Sequence, residues 1–365
     1  MNDIAREPVL GGAPAPATPQ PRRLRFTGSG SEYFRIWSVN LLLTIVTLGI
    51  YYPWAKVRRL QYFYRNTQLD RSSFNYHGSP IAILKGWAIM IVLGAALRVA
   101  GNVSHYLWLA MFVAFMLVFP WLLQRSLSFR MANSSYRGLR FAFTGTTAGA
   151  YQAFLLWPLA ACVSAGFLAP LAHQRFKQYQ HSNTRVGTAP FSFSATAGGF
   201  YAVYLKMVGL VMAAFLVAVG AGFAMMARIK AAIGTVGPDE QAILFVAAFF
   251  AIGVVVYAIV PFLGPYFMAR TQNLVWNCTT LGAHRFRSEV SARKLFWIFI
   301  SNVLLTLITL GLYRPFAQVR MARYKLESVT LLAVGSLDTF VAGETTKVGA
   351  LGDQVVDWYD IDIAL

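Results

Sequence analysis

The sequence predicts an all-α polytopic membrane protein with internal repeats and a small cytoplasmic β-element. Three observations predict this fold class: a low content of charged residues, seven long apolar stretches and a repeated segment. Only 13% of the 365 residues are charged and 57% are hydrophobic, whereas soluble domains usually carry about a quarter charged residues. The composition therefore excludes an ordinary soluble protein.

Each apolar stretch has about the ~20 residues that cross a ~30 Å hydrocarbon layer as a helix. The stretches lie near 36–54, 81–97, 106–123, 150–172, 203–227, 241–269 and 295–313. Residues 1–23 precede them, with five prolines between positions 8 and 21 and no apolar core of a cleaved signal. We therefore expect a disordered Pro/Ala-rich tail at 1–23 and a first anchor near 36–54.

A repeated segment gives the membrane domain its organisation. Residues 36–62 and 298–324 align without a gap and share 14 of 27 residues, among them Asn40 with Asn302. A weaker copy spans 151–184. Each copy contains a Thr-Leu-Gly break or an internal proline, so we expect broken helices. The predicted membrane domain, 24–332, has three broken-helix units near 24–78, 141–195 and 284–332, and two transmembrane hairpins near 81–125 and 203–270.

A shorter signature, a proline followed five residues later by an arginine, occurs five times. The pairs are Pro53/Arg58, Pro120/Arg125, Pro170/Arg175, Pro265/Arg270 and Pro315/Arg320. In the first four copies an aromatic follows sixteen residues after the arginine, at Phe74, Phe141, Phe191 and Phe286. The surrounding residues alternate as in short half-buried strands. Because unpaired strands do not occur in lipid, we place these strands together in a small cytoplasmic β-element.

Basic residues flank both ends of the first and third repeat units. The positive-inside tendency therefore predicts that both ends of each unit are cytoplasmic, with cytoplasmic N- and C-termini. Seven full spans also fit the segment lengths and stay open as an alternative. The last segment, 333–365, is predicted to be an acidic C-terminal tail, because it holds six of the fourteen acidic residues.

The signature arginines are candidates for anion or lipid binding, because a guanidinium offers paired donors to phosphate. They are Arg58, Arg125, Arg175, Arg270 and Arg320. The alternative is that they only reach the headgroups and fix orientation. Asn40 and Asn302 are intramembrane polar candidates that could instead hydrogen-bond between helices. The histidines and the two cysteines show no metal-ligand spacing, so we expect no metal and no cofactor.

Acidic residues are absent between Arg71 and Pro238. Proton relays and carboxylate-dependent catalysis need buried Asp or Glu, so we expect no enzyme. The net charge of +18 comes without a nucleic-acid recognition motif. Membrane lipids with anionic headgroups are therefore the expected partners, nucleic acid is not, and protein partners are left open.

The segment from residue 33 to residue 58 reads Tyr33-Phe34-Arg35-Ile36-Trp37, then Asn40-Leu41-Leu42-Leu43-Thr44, then Thr47-Leu48-Gly49-Ile50-Tyr51-Tyr52-Pro53-Trp54-Ala55-Lys56-Val57-Arg58. It resembles the YjgN family of bacterial inner-membrane proteins. The resemblance extends over residues 24–365 and includes the ending Asp357-Trp358-Tyr359-Asp360-Ile361-Asp362-Ile363-Ala364-Leu365. It implies a multi-pass fold in the bacterial inner (cytoplasmic) membrane and supplies no catalytic or binding residues.

Two functional classes follow from these observations. The first is transport or lipid handling of an anionic or amphipathic solute, with the repeat units as broken helices around a central basic cavity. The alternative is a non-transporting membrane-organising or partner-binding protein.

Overall fold

The computed structural model describes residues 19–233 and 237–352. Residues 1–18, most of the predicted N-terminal tail, and residues 353–365, the last part of the predicted C-terminal tail, therefore lie outside the described residues. The strands are β1 (Gln20–Phe26), β2 (Thr67–Leu69), β3 (Ser72–Tyr76), β4 (Ser134–Tyr136), β5 (Leu139–Phe143), β6 (Thr184–Val186), β7 (Ala189–Phe193), β8 (Thr279–Leu281), β9 (His284–Ser288) and β10 (Val329–Ala333). The helices are α1 (Gly30–Val46), α2 (Tyr52–Arg65), α3 (Pro80–Val103), α4 (His105–Ala132), α5 (Thr147–Tyr151), α6 (Trp157–Val163), α7 (Ala169–Ser182), α8 (Ala197–Ile233), α9 (Pro238–Asn277), α10 (Ala292–Ile308), α11 (Arg314–Glu327) and α12 (Leu337–Gly352).

The ten strands form one closed antiparallel barrel. Its order is β1-β10-β9-β8-β7-β6-β5-β4-β3-β2, and it closes where β1 pairs with both β10 and β2. Four tight hairpins alternate along the chain with helical pairs. The hairpins are β2–β3, β4–β5, β6–β7 and β8–β9. Because the barrel is closed, no sheet edge is exposed. The backbone N–H and C=O groups of strands as short as three residues can therefore pair with neighbouring strands.

The prediction of an all-α fold with a small β-element is wrong, because the barrel takes strands from the whole length of the chain. Its shortest strands have three residues. Three residues are too few to show the alternation of apolar and polar residues that is typical of a strand, and the apolar stretches of about twenty residues dominate the sequence pattern. Barrel closure also joins Arg22 to Leu331, more than 300 residues apart, and no local pattern reports such a pairing.

Five helical pairs project from the barrel, and each begins and ends at a barrel strand. Three are short: α1 with α2, α5–α6 with α7, and α10 with α11; the segment between α5 and α6 is one π-helical turn, Gln152–Leu156. The other two pairs, α3 with α4 and α8 with α9, are long. Because every pair connects two barrel strands, both of its ends lie at the barrel.

The short pairs turn in the same way at their tips. Leu48 and Gly49 have φ values of 49° and 95°, and Leu310 and Gly311 have 49° and 94°. In these two turns the glycine N–H donates to a threonine carbonyl five residues earlier, at 2.7 Å, and in the third turn Gly166 donates to the Ala161 carbonyl at 2.8 Å. The left-handed region favours glycine, which explains the Thr-Leu-Gly break. Leu48 and Leu310 are 92% and 94% exposed, so each tip presents an apolar side chain at the surface.

Three helices of the described residues are long and apolar enough to cross a membrane. They are Pro80–Val103, His105–Ala132 and Ala197–Ala231. Shorter apolar helices run over Thr147–Val163 and Ala242–Val254. Most of the side chains on these helices are not buried within the protein, which is the distribution expected of surfaces that face lipid tails.

The barrel end away from the helical pairs is closed by α12. Leu337 packs with Leu69 and Leu331, and Phe340 and Val341 pack with the barrel interior. The Glu344 carboxylate is buried and accepts hydrogen bonds from the backbone N–H and the hydroxyl of Thr188. Burial acts to raise the Glu344 pKa, but the hydrogen bonds from Thr188 and Lys347 outweigh it and hold the pKa below its usual value.

Candidate functional site: an aromatic cavity between barrel and helices

Phenylalanines fill the middle of the barrel, between the helical pairs and α12. In a strand, alternate side chains point to opposite faces, and the inward positions of β3, β5, β7 and β9 carry Phe74, Phe141, Phe191 and Phe286. Ring centroids lie 6.4 Å apart for Phe74 and Phe141, and 6.0 Å apart for Phe191 and Phe286. The aromatic residues that recur after the signature arginines therefore meet in the barrel interior.

The helices are joined to the barrel by a recurring hydrogen-bonded cap. At the ends of α2, α4 and α7, the side-chain N–H of Asn66, Asn133 and Asn183 donates to the carbonyl four residues earlier, at 2.8–2.9 Å. The hydroxyl of the next residue makes the same kind of bond, from Thr67, Ser134 and Thr184 respectively. These bonds satisfy the free carbonyls of the helix end and fix which side chains of the last turn face inward.

A cavity of about 510 Å³ lies where the last helical turns meet the phenylalanines. Its lining includes one residue from the last turn of each of five helices, the eleventh after each signature proline: Tyr64, Met131, His181, Trp276 and Leu326. Phe74, Phe141 and Phe191 form its barrel side. The volume is within the roughly 300–1,000 Å³ of typical small-molecule sites, which are mainly apolar with few polar groups.

One arginine lines this cavity, two lysines lie near it, and no carboxylate of the described residues accompanies them. Arg130 lines it, and the Lys177 ammonium donates to Gln180, a lining residue, at 3.3 Å. Lys325 is close enough to act on Lys177: burial, and then the charge of Lys325, lower the Lys177 pKa. Within residues 19–233 and 237–352, no acidic residue lines the cavity or forms an ion pair with these three cations.

His181 belongs to the aromatic wall of the cavity. Its ring stacks on Phe193 at 5.4 Å and meets Trp276 edge-on at 5.8 Å. Burial, and then the charge of Lys177, lower the His181 pKa to about 4, so the imidazole is neutral at pH 7. In the described part of the chain no group of three or more His, Cys, Asp or Glu side chains could hold a metal ion.

The five signature arginines lie elsewhere, one on each of α2, α4, α7, α9 and α11. All five are exposed, and none lines the cavity. Four lie over aromatic rings: Arg58 over Tyr51, Arg125 over Trp121, Arg175 over Trp157 and Arg270 over Tyr266. Arg320 instead donates to the Ser301 hydroxyl at 2.8 Å and to the Asn302 side-chain carbonyl at 3.4 Å.

Asn40 and Asn302 are both buried at matched places in α1 and α10. The Asn302 side chain donates to the Ala317 carbonyl at 3.3 Å and so connects α10 with α11. The Asn40 side-chain oxygen has no hydrogen-bond partner among the described residues. Neither asparagine lines the aromatic cavity.

The sequence contains a signal for the cavity that the spacing of the signature arginines alone does not reveal. The residues ten and eleven positions after the signature prolines supply Arg130, Gln180 and His181. They follow the arginines by five and six residues and line the cavity from the last helical turn. Their types vary from copy to copy, which is why residue identity alone missed them.

The family described as "Bacterial protein of unknown function (DUF898)" matches residues 21–358. The chain belongs to this family. It is also similar to the "Inner membrane protein YjgN" of Salmonella typhimurium, 32% identical over 121 residues, and of Escherichia coli K12, 29% identical over 149 residues. These matches cover 33% and 39% of this chain and 31% and 36% of the relatives, so the chain spans about a third of each.

No solved structure matches the chain. The family and these relatives confirm the resemblance drawn from residues 33–58, and they support a membrane protein of unknown activity in the inner membrane.

Proposed function

We propose that this protein binds an anionic amphipathic molecule in the aromatic cavity and handles it as a carrier or lipid-handling protein of the inner membrane. The observation that supports this most is the cavity wall, in which Arg130 lies beside aromatic and aliphatic side chains while carboxylates are missing from the described lining. An apolar chain fits against Phe74, Phe141 and Phe191. The negatively charged head group of such a ligand reduces the repulsion among the positive charges of Arg130, Lys177 and Lys325.

The position of the cavity supports a ligand that comes from the membrane. It lies at the barrel ends of the helical pairs, where apolar helices give way to a polar barrel exterior. An amphipathic molecule matches this boundary, because its apolar part can lie against the apolar helices while its charged part lies at the polar barrel. The proposal assigns binding residues and no catalytic residue, and its expected partners are anionic membrane lipids.

The proposed orientation places the barrel and both termini in the cytoplasm. Six exposed arginines on the barrel strands support it: Arg23, Arg25, Arg140, Arg185, Arg285 and Arg287. Excess Arg and Lys marks the cytoplasmic side of inner-membrane proteins. The helix end at Asn102, far from the barrel, then faces the periplasm.

Single cysteines test the orientation in intact cells. In a background with Cys162→Ala and Cys278→Ser, Asn102→Cys should react with a membrane-impermeant maleimide, and Ser73→Cys, on the barrel exterior, should react only after cell lysis. Labelling of Ser73→Cys in intact cells would reverse the proposed orientation.

Native mass spectrometry tests the ligand. The purified protein is incubated in micelles with equal amounts of lysophosphatidylglycerol, phosphatidylglycerol and phosphatidylethanolamine. We expect an anionic lipid to be retained preferentially. The Arg130→Met/Lys177→Met variant should retain about tenfold less, because charge-assisted hydrogen bonds contribute more than about 1.4 kcal/mol.

The matched control is Arg58→Met/Arg175→Met, which removes two exposed arginines and should leave retention unchanged. Leu127→Trp narrows the cavity without changing charge and should also lower retention. Equal losses in the cavity and control variants, with no effect of Leu127→Trp, would reject the cavity as the site and favour the membrane-organising alternative.

A further inference from the structure

A second cationic site lies on the outer surface of the barrel, at β1 and the β2–β3 turn. Here a cleft of about 470 Å³ is lined by four arginines and one aspartate: Arg22, Arg23, Arg25, Arg71 and Asp70. It shares no lining residue with the aromatic cavity. The cleft is therefore a separate feature of the fold.

Strand geometry brings two of these arginines to one face. Arg23 and Arg25 are two residues apart on β1, so both point outward and their Cα atoms are separated by about 7 Å. Arg25 lies opposite Gln68 of β2, and Arg23 lies opposite Thr330 of β10. The residues beside these two arginines are thus uncharged, and Gln68 adds a further polar side chain to the cleft.

The aspartate of the cleft is already paired. One carboxylate oxygen of Asp70 accepts from Arg22 at 3.0 Å, and the other accepts from Arg137 at 3.4 Å. Throughout the described ranges, 19–233 and 237–352, Arg23, Arg25 and Arg71 form no ion pair or side-chain hydrogen bond. Three guanidinium groups therefore face the cleft with their donors free.

The turn that carries Arg71 is strained. Asp70 and Arg71 have φ values of 48° and 66°, whereas the corresponding second position of the next hairpin turn is Gly138, with φ 83°. A left-handed backbone disfavours side chains with a Cβ atom. An arginine at a position where glycine is less strained supports a binding role for its side chain.

The cleft runs along the outer surface of β1 and β2, from Arg25 to the barrel end opposite the helical pairs. Thr67 begins β2 directly after α2, so the β2–β3 turn at Asp70 and Arg71 is at the far end of that strand. This position favours a ligand from the aqueous phase over a lipid headgroup. A pair of guanidiniums about 7 Å apart, with a third beside them, suits an anion with two or more phosphate groups.

We propose that this arginine cleft binds soluble molecules that carry two or more phosphate groups. Isothermal titration of the full-length protein in detergent with inorganic pyrophosphate tests it. The parent should bind, and Arg25→Gln/Arg71→Gln should bind at least about tenfold more weakly, because each lost guanidinium removes charge-assisted donors. Arg25→Lys/Arg71→Lys keeps the charge but loses the paired donors and should be intermediate.

The control is Arg140→Gln/Arg185→Gln, which removes two exposed arginines from β5 and β6 and should change the affinity by less than about twofold. Competition with short-chain dihexanoyl phosphatidylglycerol separates the two phosphate sources, and pyrophosphate should win. Failure of the parent to bind pyrophosphate, an equal loss in the control, or tighter binding of the short-chain lipid would overturn the proposal. Equal melting temperatures of the variants exclude unfolding as the cause.

Discussion

The inner and outer surfaces of the barrel wall are built from alternating residues of the same strands, yet they present opposite chemistry. On β5, Phe141 faces inward beside the exposed Arg140; on β1, Leu24 faces inward between the exposed Arg23 and Arg25. The inner surface forms the floor of an apolar cavity, and the outer surface offers free guanidinium groups. A period of two thus gives the two sides of one thin wall opposite chemistry.

The largest expected difference between the two surfaces is in stability. Phe141→Ala removes a ring that packs in the barrel interior and should lower the free energy of unfolding by about 3–5 kcal/mol. Arg140→Ala, one residue away on the outside, should change it by less than about 0.5 kcal/mol. Chemical denaturation in detergent measures both. Similar losses in the two variants would mean that the wall is not divided into a packed and a solvated face.

An intermediate effect is expected where α12 closes the inner surface. Glu344→Gln weakens the two bonds from Thr188 and should cost about 1–3 kcal/mol. The folded-state pKa of Glu344 lies below its usual value, so its contribution is present above the ordinary glutamate pKa of about 4.3 and is lost as the pH falls through the lower folded pKa.

Thermal melts as a function of pH test this assignment. The parent should be more stable than Glu344→Gln at neutral pH, and the gap should shrink as the solution is acidified. A gap that is constant with pH would show that the carboxylate charge does not hold α12 in place.

The smallest effect is expected for the signature arginines on the outside of the helices. In Arg58→Lys/Arg175→Lys/Arg320→Lys, lysine keeps the charge and can still reach the headgroups. Melting temperature and retained anionic lipid, measured by native mass spectrometry, should both stay within error of the parent. A clear loss of lipid would place the anion site on the outer arginines and weaken the contrast with the cavity.

Sequence patterns predicted the local parts of this fold better than their assembly. The alternation around Phe74, Phe141 and Phe191 indicated strands, and β3, β5 and β7 are found there. Barrel closure could not be predicted, since the pairing of β1 with β10 depends on residues some 300 positions apart.

The candidate site shows the same limit. Identical spacing from a proline gave each signature arginine a common helical position, but spacing alone does not tell which helix face turns inward. The inward face is set by packing on the barrel and by the helix caps at Asn66, Asn133 and Asn183. These contacts bring Arg130 and His181 to the cavity, although their residue types do not repeat from copy to copy.

The most direct test of the proposed function is an electron cryo-microscopy map of the protein extracted with its native lipids into nanodiscs. Elongated density should fill the cavity, with its apolar part against Phe74, Phe141 and Phe191 and its charged end at Arg130. An empty cavity, with ordered lipid only beside the exposed arginines of the helices, would contradict the proposal.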